Sequence, residues 1–293
     1  MQNSADMVVM GDLVLDWCCK STLPFAFPEL VSNRLVWARI LELPGGGAVH
    51  FARYAAEAGF RPLVIGKVGQ DYAGTAIIEA LKKWGVMLAV ERHADLETGR
   101  VFIVWDTAPS CTRLLIASTP NANSALTPLD IEPHASAIAN AKVLYVSGYC
   151  LVDSPRREAT QKAFEIARQS GHTLTVLDVV PHEINKLYSL QEFLKLTRHV
   201  DVLISEAATV RRFLHLGSID EKLDKTTVEE TIQRLREYYQ RFVLRFAGAN
   251  CNEQVVVDGQ KTIWEETGYA EALEKRGYGD RMTVKSLQQV FLA

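Results

Sequence analysis

Apolar residues in this chain form short continuous runs that alternate with longer segments of helical spacing. The runs predict buried strands, and the spaced segments predict amphipathic helices. Their alternation is typical of a parallel sheet with helices on its faces. We therefore predict an α/β fold over 1–293 as one domain, with a doubly wound, mostly parallel sheet flanked by helices. The predicted strands are 7–15, 35–43, 63–71 with its turn, 86–90, 143–147, 174–178, 200–204 and 242–246, and the longer predicted helices are 74–84, 129–140, 154–170 and 228–240.

Two β-rich stretches interrupt this alternation at 100–105 and 113–117. No helical pattern lies between them, so we predict an antiparallel hairpin outside the main sheet. With other residues from about 17–43 and 98–118 it would form a small β lid. A lid of this kind can cover a site and exclude water.

The sequence Gly277-Tyr278-Gly279-Asp280 stands directly before a segment of helical spacing near the end of the chain. Glycines before a helix let the backbone approach an anion, and the first helical turn directs N–H groups at it. Aspartate beside amides that hold a transferring phosphoryl group is typical of kinase chemistry, in which it acts as the base. The alternative is an ordinary turn capped by aspartate.

Two carboxylates, Asp12 and Asp16, stand four residues apart at the end of the first predicted strand. Strand alternation places them on the same side. Carboxylates accept hydrogen bonds strongly, so the pair suits a polyol ligand, although either residue could instead cap the following turn.

Three glycines, 45–47, precede the first predicted helix, and His50 lies within that helix. The spacing fits a dinucleotide fingerprint poorly, because that pattern requires a glycine where His50 stands. We expect Gly45 and Gly46 to let a small ligand lie against the backbone. His50 either faces this ligand or packs on its own helix.

The composition narrows the partners and the compartment. The 293 residues are 48% hydrophobic and 23% charged with a net charge of -3, which indicates no general attraction to nucleic acid or to an acidic membrane. No apolar run reaches the length of a membrane span, and residues 1–6 lack the order of a signal peptide, so we expect a cytoplasmic protein. The five cysteines form no C-x-x-C pair, which favours free thiols over a metal site.

Four blocks in this order resemble the ribokinase-like (PfkB-type) carbohydrate kinase family, and the resemblance extends over 8–292. The blocks are 11–16, 45–50, 66–74 and 277–280. The resemblance implies a doubly wound sheet with a β lid, and transfer of the γ-phosphoryl group of ATP, with Mg²⁺, to a hydroxyl of a sugar-like substrate. It implies that Asp16 binds sugar hydroxyls and that Gly45 and Gly46 meet the substrate, with His50 replacing the family's asparagine.

The last block resembles the family's anion hole and catalytic base. Gly277, Tyr278 and Gly279 would stabilise charge on the phosphoryl oxygens, and Asp280 would take the hydroxyl proton. Tyr278 replaces the family's usual alanine.

The motifs for magnesium and nucleotide depart from the family pattern. The Asn-x-x-Glu that organises magnesium through water is not intact, and Glu206 is its possible substitute. The nucleotide-side glycine motif keeps only Gly248, followed by Ala249. Phosphate donors other than ATP therefore stay open.

Several hypotheses remain at this stage. Pocket shape around Asp12, Asp16, His50, Arg113 and Tyr149 would select the acceptor. Arg100 and Arg113 could meet a phosphorylated substrate, or they could be solvated charges on the lid. The alternatives to a sugar kinase are a nucleoside kinase, a non-catalytic sugar-binding or regulatory protein of the same fold, and a nicotinamide-dependent enzyme. Lid strands in this family often pair between subunits, so a homodimer through the lid is expected.

Overall fold

A computed structural model describes residues 4–21, 35, 37–105, 113–180, 183–217, 223–247, 252–266 and 276–292. Its strands are β1 Met7–Met10, β2 Val14–Ser21, β3 Ala38–Gly45, β4 Pro62–Gly69, β5 Met87–His93, β6 Gly99–Trp105, β7 Arg113–Ala117, β8 Val143–Ser147, β9 Leu174–Val179, β10 Val202–Glu206, β11 Arg241–Ala247, β12 Asn252–Asp258 and β13 Lys261–Glu266. Its helices are α1 Gly47–Glu57, α2 Tyr72–Lys83, α3 Pro128–Ile131, α4 Ala135–Asn140, α5 Arg156–Ser170, α6 Leu190–Leu196, α7 Ala207–Phe213, α8 Lys225–Leu235 and α9 Tyr278–Ser286.

The main sheet has the strand order β13-β12-β11-β10-β9-β8-β1-β4-β5. Strands β5 to β11 in this order are parallel, and β12 and β13 add an antiparallel hairpin at one edge. Two apolar clusters cover the two faces. One contains Phe51 of α1, Ile77 of α2 and Val284 of α9, whereas the other contains residues of α3 to α8. The predicted doubly wound α/β fold is confirmed.

The second sheet has four strands in the order β3-β2-β6-β7. Strands β6 and β7 form the predicted antiparallel hairpin, and β2 joins it through parallel pairing with β6. Cys18 of β2 and Ile103 and Trp105 of β6 form a small buried core within this sheet. The predicted small β sheet outside the main sheet is confirmed, and we call it the lid sheet.

The predicted strand 7–15 is wrong, because the chain leaves the main sheet after Met10 and enters the lid sheet at Val14. Gly11 packs so closely on α1 and β8 that a Cβ there would lie 2.9 Å from the amide nitrogen of Ala48. The Asn123 side chain also donates a 2.8 Å hydrogen bond to the Gly11 carbonyl, which replaces a strand partner. Asp12 therefore lies in a connection between sheets, and strand alternation does not relate it to Asp16.

The predicted helix 129–140 is divided into α3, a 3₁₀ turn at Glu132–His134 and α4. Pro133 explains the division, since proline lacks the N–H that a continuous helix needs. Helix α6 was not predicted, although Ser189 and Glu192 form the capping box that begins it. No helix in the described ranges is long and apolar enough to cross a membrane.

Candidate functional site

Helix α9 begins after Gly277, an N-cap residue that has no side chain with which to cap the first-turn amides. Gly277 is the N-cap residue with φ +67°, a left-handed conformation that favours glycine. The first intrahelical bond here runs from the Arg281 amide to the Gly277 carbonyl at 3.0 Å. The first-turn N–H groups of an α-helix have no acceptor within the helix, so this turn is suited to binding an anion.

Asp280 lies in this first turn, and its Oδ1 accepts a 3.1 Å hydrogen bond from the hydroxyl of Tyr145. Tyr145 is fully buried in β8 and stacks on Phe51 at 3.7 Å, which fixes the direction of its hydroxyl. Burial of the carboxyl, together with the nearby charge of Asp178, raises the pKa of Asp280 to about 8, while Arg245 opposes this shift. A carboxyl with such a pKa can exchange a proton near neutral pH.

Asp16 lies in β2 of the lid sheet and is only 4% exposed. Its Oδ2 accepts hydrogen bonds from Nη2 and Nε of Arg276 at 2.7 and 3.1 Å. Arg276 also donates to the Pro44 carbonyl at 3.0 Å. Because Arg276 directly precedes Gly277, this ion pair connects the lid sheet to the start of α9.

His50 lies between these two parts. A Cβ on Gly277 would be 2.6 Å from His50 Cγ, so the α9 loop rests on the imidazole. The His50 Nε2 is 4.0 Å from Asp16 Oδ2. Burial, with the charges of Arg276 and Arg53, lowers the pKa of His50 to about 3, so the imidazole is neutral at physiological pH. His50 thus packs under the loop and also borders Asp16.

The glycines before α1 complete this part of the site. Gly45 lies directly against Asp16, since a Cβ on Gly45 would be 2.1 Å from Asp16 Oδ2. Gly46 lies equally close to the carbonyl of Asp12. The Asp12 carboxylate itself accepts a 2.6 Å hydrogen bond from the buried Arg156 of α5. Both predicted sugar-binding carboxylates are therefore ion-paired with arginine.

The remaining predicted residues are less closely connected to this cluster. Arg113 begins β7 opposite Trp105, four residues beyond the β6 residue that pairs with Asp16, so its backbone is about 13 Å further along the lid strands. Its side chain, and Gly248 and Ala249, lie outside the described residues. Arg100 pairs with Glu97 and Asp71.

Glu206 is exposed at the end of β10 and occupies the N-cap position of α7. Among the described residues, no three His, Cys, Asp or Glu side chains lie close enough together to hold a metal ion. Any ion bound here would need ligands beyond such a cluster, such as nucleotide phosphates and water.

Five residues at the site were not predicted: Tyr145, Arg156, Asp178, Arg245 and Arg276. Asp178 and Arg245 do carry a sequence signal, because Asp178 is the one charged residue of β9 and Arg245 stands between apolar residues in the middle of β11. Arg276 carries none, since its partner Asp16 is 260 residues away in the sequence.

Comparison with protein families matches residues 6–250 to the description "pfkB family carbohydrate kinase". This chain belongs to that family. The 5-dehydro-2-deoxygluconokinase of Geobacillus thermodenitrificans is 33% identical over 129 residues, which are 43% of this chain and 37% of the relative. The matched stretch thus spans less than half the length of this curated relative.

Solved structures share the fold of this pfkB family member. The adenosine kinase from Sinorhizobium meliloti superposes with a TM-score of 0.77 at 20% identity, covering 96% of this chain and 86% of that one. The fructokinase from Xylella fastidiosa with bound ATP superposes with a TM-score of 0.68 at 14% identity, covering 96% and 83%.

Proposed function

We propose that this protein transfers the γ-phosphoryl group of ATP to a hydroxyl of a sugar or sugar-like acceptor, with Asp280 as the general base. The supporting observation is that a carboxyl of raised pKa lies in the first turn of α9, directly after the glycine N-cap of this helix. Membership of a carbohydrate kinase family supports the same reaction. Replacement of Asp280 by asparagine should abolish acceptor-dependent release of ADP while leaving acceptor binding in place.

The residues of the site divide the work as follows. The ionised Asp280 takes the acceptor proton at Oδ2, because its Oδ1 already receives the Tyr145 hydroxyl. Gly277, Tyr278 and Gly279 hold the phosphoryl oxygens with the first-turn amides. Asp16, against Gly45, orients the acceptor from the lid side.

The first-turn amides of α9, which follow the glycine N-cap Gly277, would hold a phosphate group of the nucleotide. ATP, when bound, supplies the phosphoryl group, and Mg²⁺ neutralises charge on its phosphates. Gly248 and Ala249 would contact the nucleotide, and Glu206 would organise Mg²⁺ through water. Thermal shifts with ATP, with and without Mg²⁺, test this in wild type and in Glu206→Gln. A Mg²⁺-dependent shift equal in both proteins would remove Glu206 from the proposal.

The acceptor is a small polyol, which we propose is recognised by Asp12, Asp16 and His50, with Arg113 closing from the lid. Relatives are named 5-dehydro-2-deoxygluconokinase and fructokinase. The first acceptors to compare are therefore 5-dehydro-2-deoxygluconate and fructose, together with ribose and adenosine. A higher kcat/KM with adenosine than with the sugars would mean that the acceptor is a nucleoside and not a sugar. An acceptor KM that is unchanged in Arg113→Ala would exclude Arg113 from acceptor recognition.

A second candidate is a protein of the same family that binds a sugar without transferring phosphate. The observation that favours it is the Arg276–Asp16 ion pair, which occupies the carboxylate that a sugar would need. Calorimetric binding of an acceptor without any ADP release would support this candidate over the kinase.

We also propose that two copies pair through the lid sheet. Strand β7 lies at an edge of that sheet, and Leu114, Leu115 and Ile116 on it are 47 to 59% exposed. Exposed apolar edge strands favour pairing. Light scattering should give the mass of a dimer for wild type and of a monomer for Ile116→Lys, and a monomeric wild type would contradict the proposal.

A further inference from the structure

An ion pair lies beneath the first turn of α9, with its carboxylate buried and its arginine side chain 21% exposed. Asp178 of β9 is 2% exposed, and its Oδ2 accepts a 3.2 Å hydrogen bond from Arg245 Nη2. The Thr283 hydroxyl lies 3.3 Å from the same oxygen and 3.0 Å from the Gly279 carbonyl. Arg245 Nη2 also hydrogen-bonds this hydroxyl. The pair is therefore linked to the turn that carries Asp280 through the Thr283 hydroxyl of α9.

Arg245 contacts this turn directly as well. A Cβ on Gly279 would lie 2.8 Å from Arg245 Nη1, so the backbone at this glycine lies close against the guanidinium. The Arg245 Nε is buried without a hydrogen-bond partner among the described residues. The core on this side of the sheet includes Val243, Val256 and Val284, among which an apolar side chain would fit at lower cost. A cation at this position is not required by the packing of the sheet.

We propose that the Arg245–Asp178 pair is a positioning unit for Asp280, which fixes the first turn of α9 and sets the charge of the general base. This inference rests on the proposed function, since it assigns Asp280 as the base. Arg245 and Asp178 act through Asp280 and the backbone, and they are positioning residues.

The charged and titratable groups around Asp280 come from several elements. Tyr145 of β8 donates to it, Asp178 of β9 and Arg245 of β11 flank it, and Glu206 of β10 stands beside Arg245 in the strand register. From α1, the neutral His50 packs under Gly277, with the cations Arg276 and Arg53 near its imidazole. The negative charge of Asp178 raises the pKa of Asp280, whereas the positive charge of Arg245 lowers it. Removing one charge or the other should therefore move the titration of Asp280 in opposite directions.

The test is a ¹³C NMR titration of the aspartate carboxyl carbons in protein without nucleotide or acceptor, with Asp280→Asn assigning the resonance. Arg245→Met should raise the Asp280 midpoint by about one pH unit or more, and Asp178→Asn should lower it by a similar amount. Arg245→Lys, which keeps the charge, should stay nearer to wild type. Loss of packing alone would not produce shifts of opposite sign.

Arg211→Met is the matched control, because Arg211 is a buried arginine paired with Glu230 on the opposite face of the sheet. It should leave the Asp280 midpoint unchanged. Shifts in the same direction for Arg245→Met and Asp178→Asn, or no shift in either, would overturn the inference. If Arg245→Met does not fold, Arg245→Lys and Asp178→Asn still decide the question, since an unmoved midpoint in Asp178→Asn overturns it.

The titration is separate from the proposed function. A variant Asp280→Asn that keeps full turnover would overturn Asp280 as the base, whatever the titration shows. In an active enzyme, Asp178→Asn should move the acid limb of kcat/KM to lower pH by the same amount as the NMR midpoint. A limb that stays in place would overturn the positioning role.

Discussion

Replacement of Asp280 by asparagine should stabilise the protein at alkaline pH while removing its activity. In the folded protein the pKa of the Asp280 carboxyl is about 8, mainly because the carboxyl is buried, whereas the ordinary pKa of an aspartate carboxyl is 3.8. The folded state therefore binds more protons than the unfolded state between these values. It follows that wild-type stability falls as the pH rises through this window.

The magnitude follows from the same difference. Each pH unit between the folded and unfolded pKa values is worth about 1.4 kcal/mol, so the difference for Asp280 corresponds to at most about 6 kcal/mol above pH 8. Water entering the site would reduce the free energy that ionising Asp280 costs the folded protein. A remaining difference in unfolding free energy of about 3 kcal/mol would still be measurable. Asparagine carries no charge at any pH and its oxygen can still accept from Tyr145. The gain in stability should therefore be present at pH 9 and nearly absent at pH 4.

Urea denaturation of wild type and Asp280→Asn at pH 4, 7 and 9 measures this gain in stability. The control is Asp224→Asn, because Asp224 is an exposed helix cap whose pKa is lowered by hydrogen bonds from Thr227. That variant should show no stabilisation as the pH rises. An Asp280→Asn protein whose stability differs from wild type by the same amount at all three pH values would refute the reasoning.

Three further predictions concern the ionised groups. The acid limb of kcat/KM should lie near pH 8, with activity rising as Asp280 loses its proton, and a rate that is flat from pH 6 to 9 would contradict it. Asp16→Asn should raise the acceptor KM roughly ten- to hundredfold with a smaller change in kcat, because a charged hydrogen-bond acceptor is lost, and an unchanged KM would exclude Asp16 from acceptor binding. Asp12→Ala should destabilise the protein by about 3 kcal/mol in denaturant melts, because it leaves the buried Arg156 without its 2.6 Å partner. The more exposed second partner gives the control, and Asp153→Ala should cost less.

Local pattern was sufficient to predict most of the main sheet. The apolar runs at β4, β8, β9 and β11 coincide with the predicted strands to within a few residues. The prediction failed at Gly11, because apolar residues resume at Leu13 directly after Gly11 and Asp12, and the break between β1 and β2 follows from contacts of Gly11 with Ala48, Ser147 and Asn123. The sequence contains no local signal for a tertiary contact of that kind.

The same distinction holds within the site. The helix start at Gly277 with Asp280 in its first turn could be predicted, because the geometry of a helix N-terminus depends on adjacent residues. The partners of the predicted carboxylates could not, since Arg276 meets Asp16 and Arg156 meets Asp12 only after the chain has folded. Predicting a free carboxylate from sequence therefore overlooks the counter-ion that decides how readily it binds a hydroxyl.

The most direct test of the proposed kinase is ADP release from ATP and Mg²⁺ in a coupled assay with 5-dehydro-2-deoxygluconate, fructose, ribose and adenosine. Asp280→Asn is measured in parallel, with acceptor binding followed by calorimetry. The proposal predicts ADP release that depends on one of these acceptors and disappears in Asp280→Asn while the acceptor still binds. Turnover retained in Asp280→Asn, or acceptor binding without any ADP release in wild type, would contradict it.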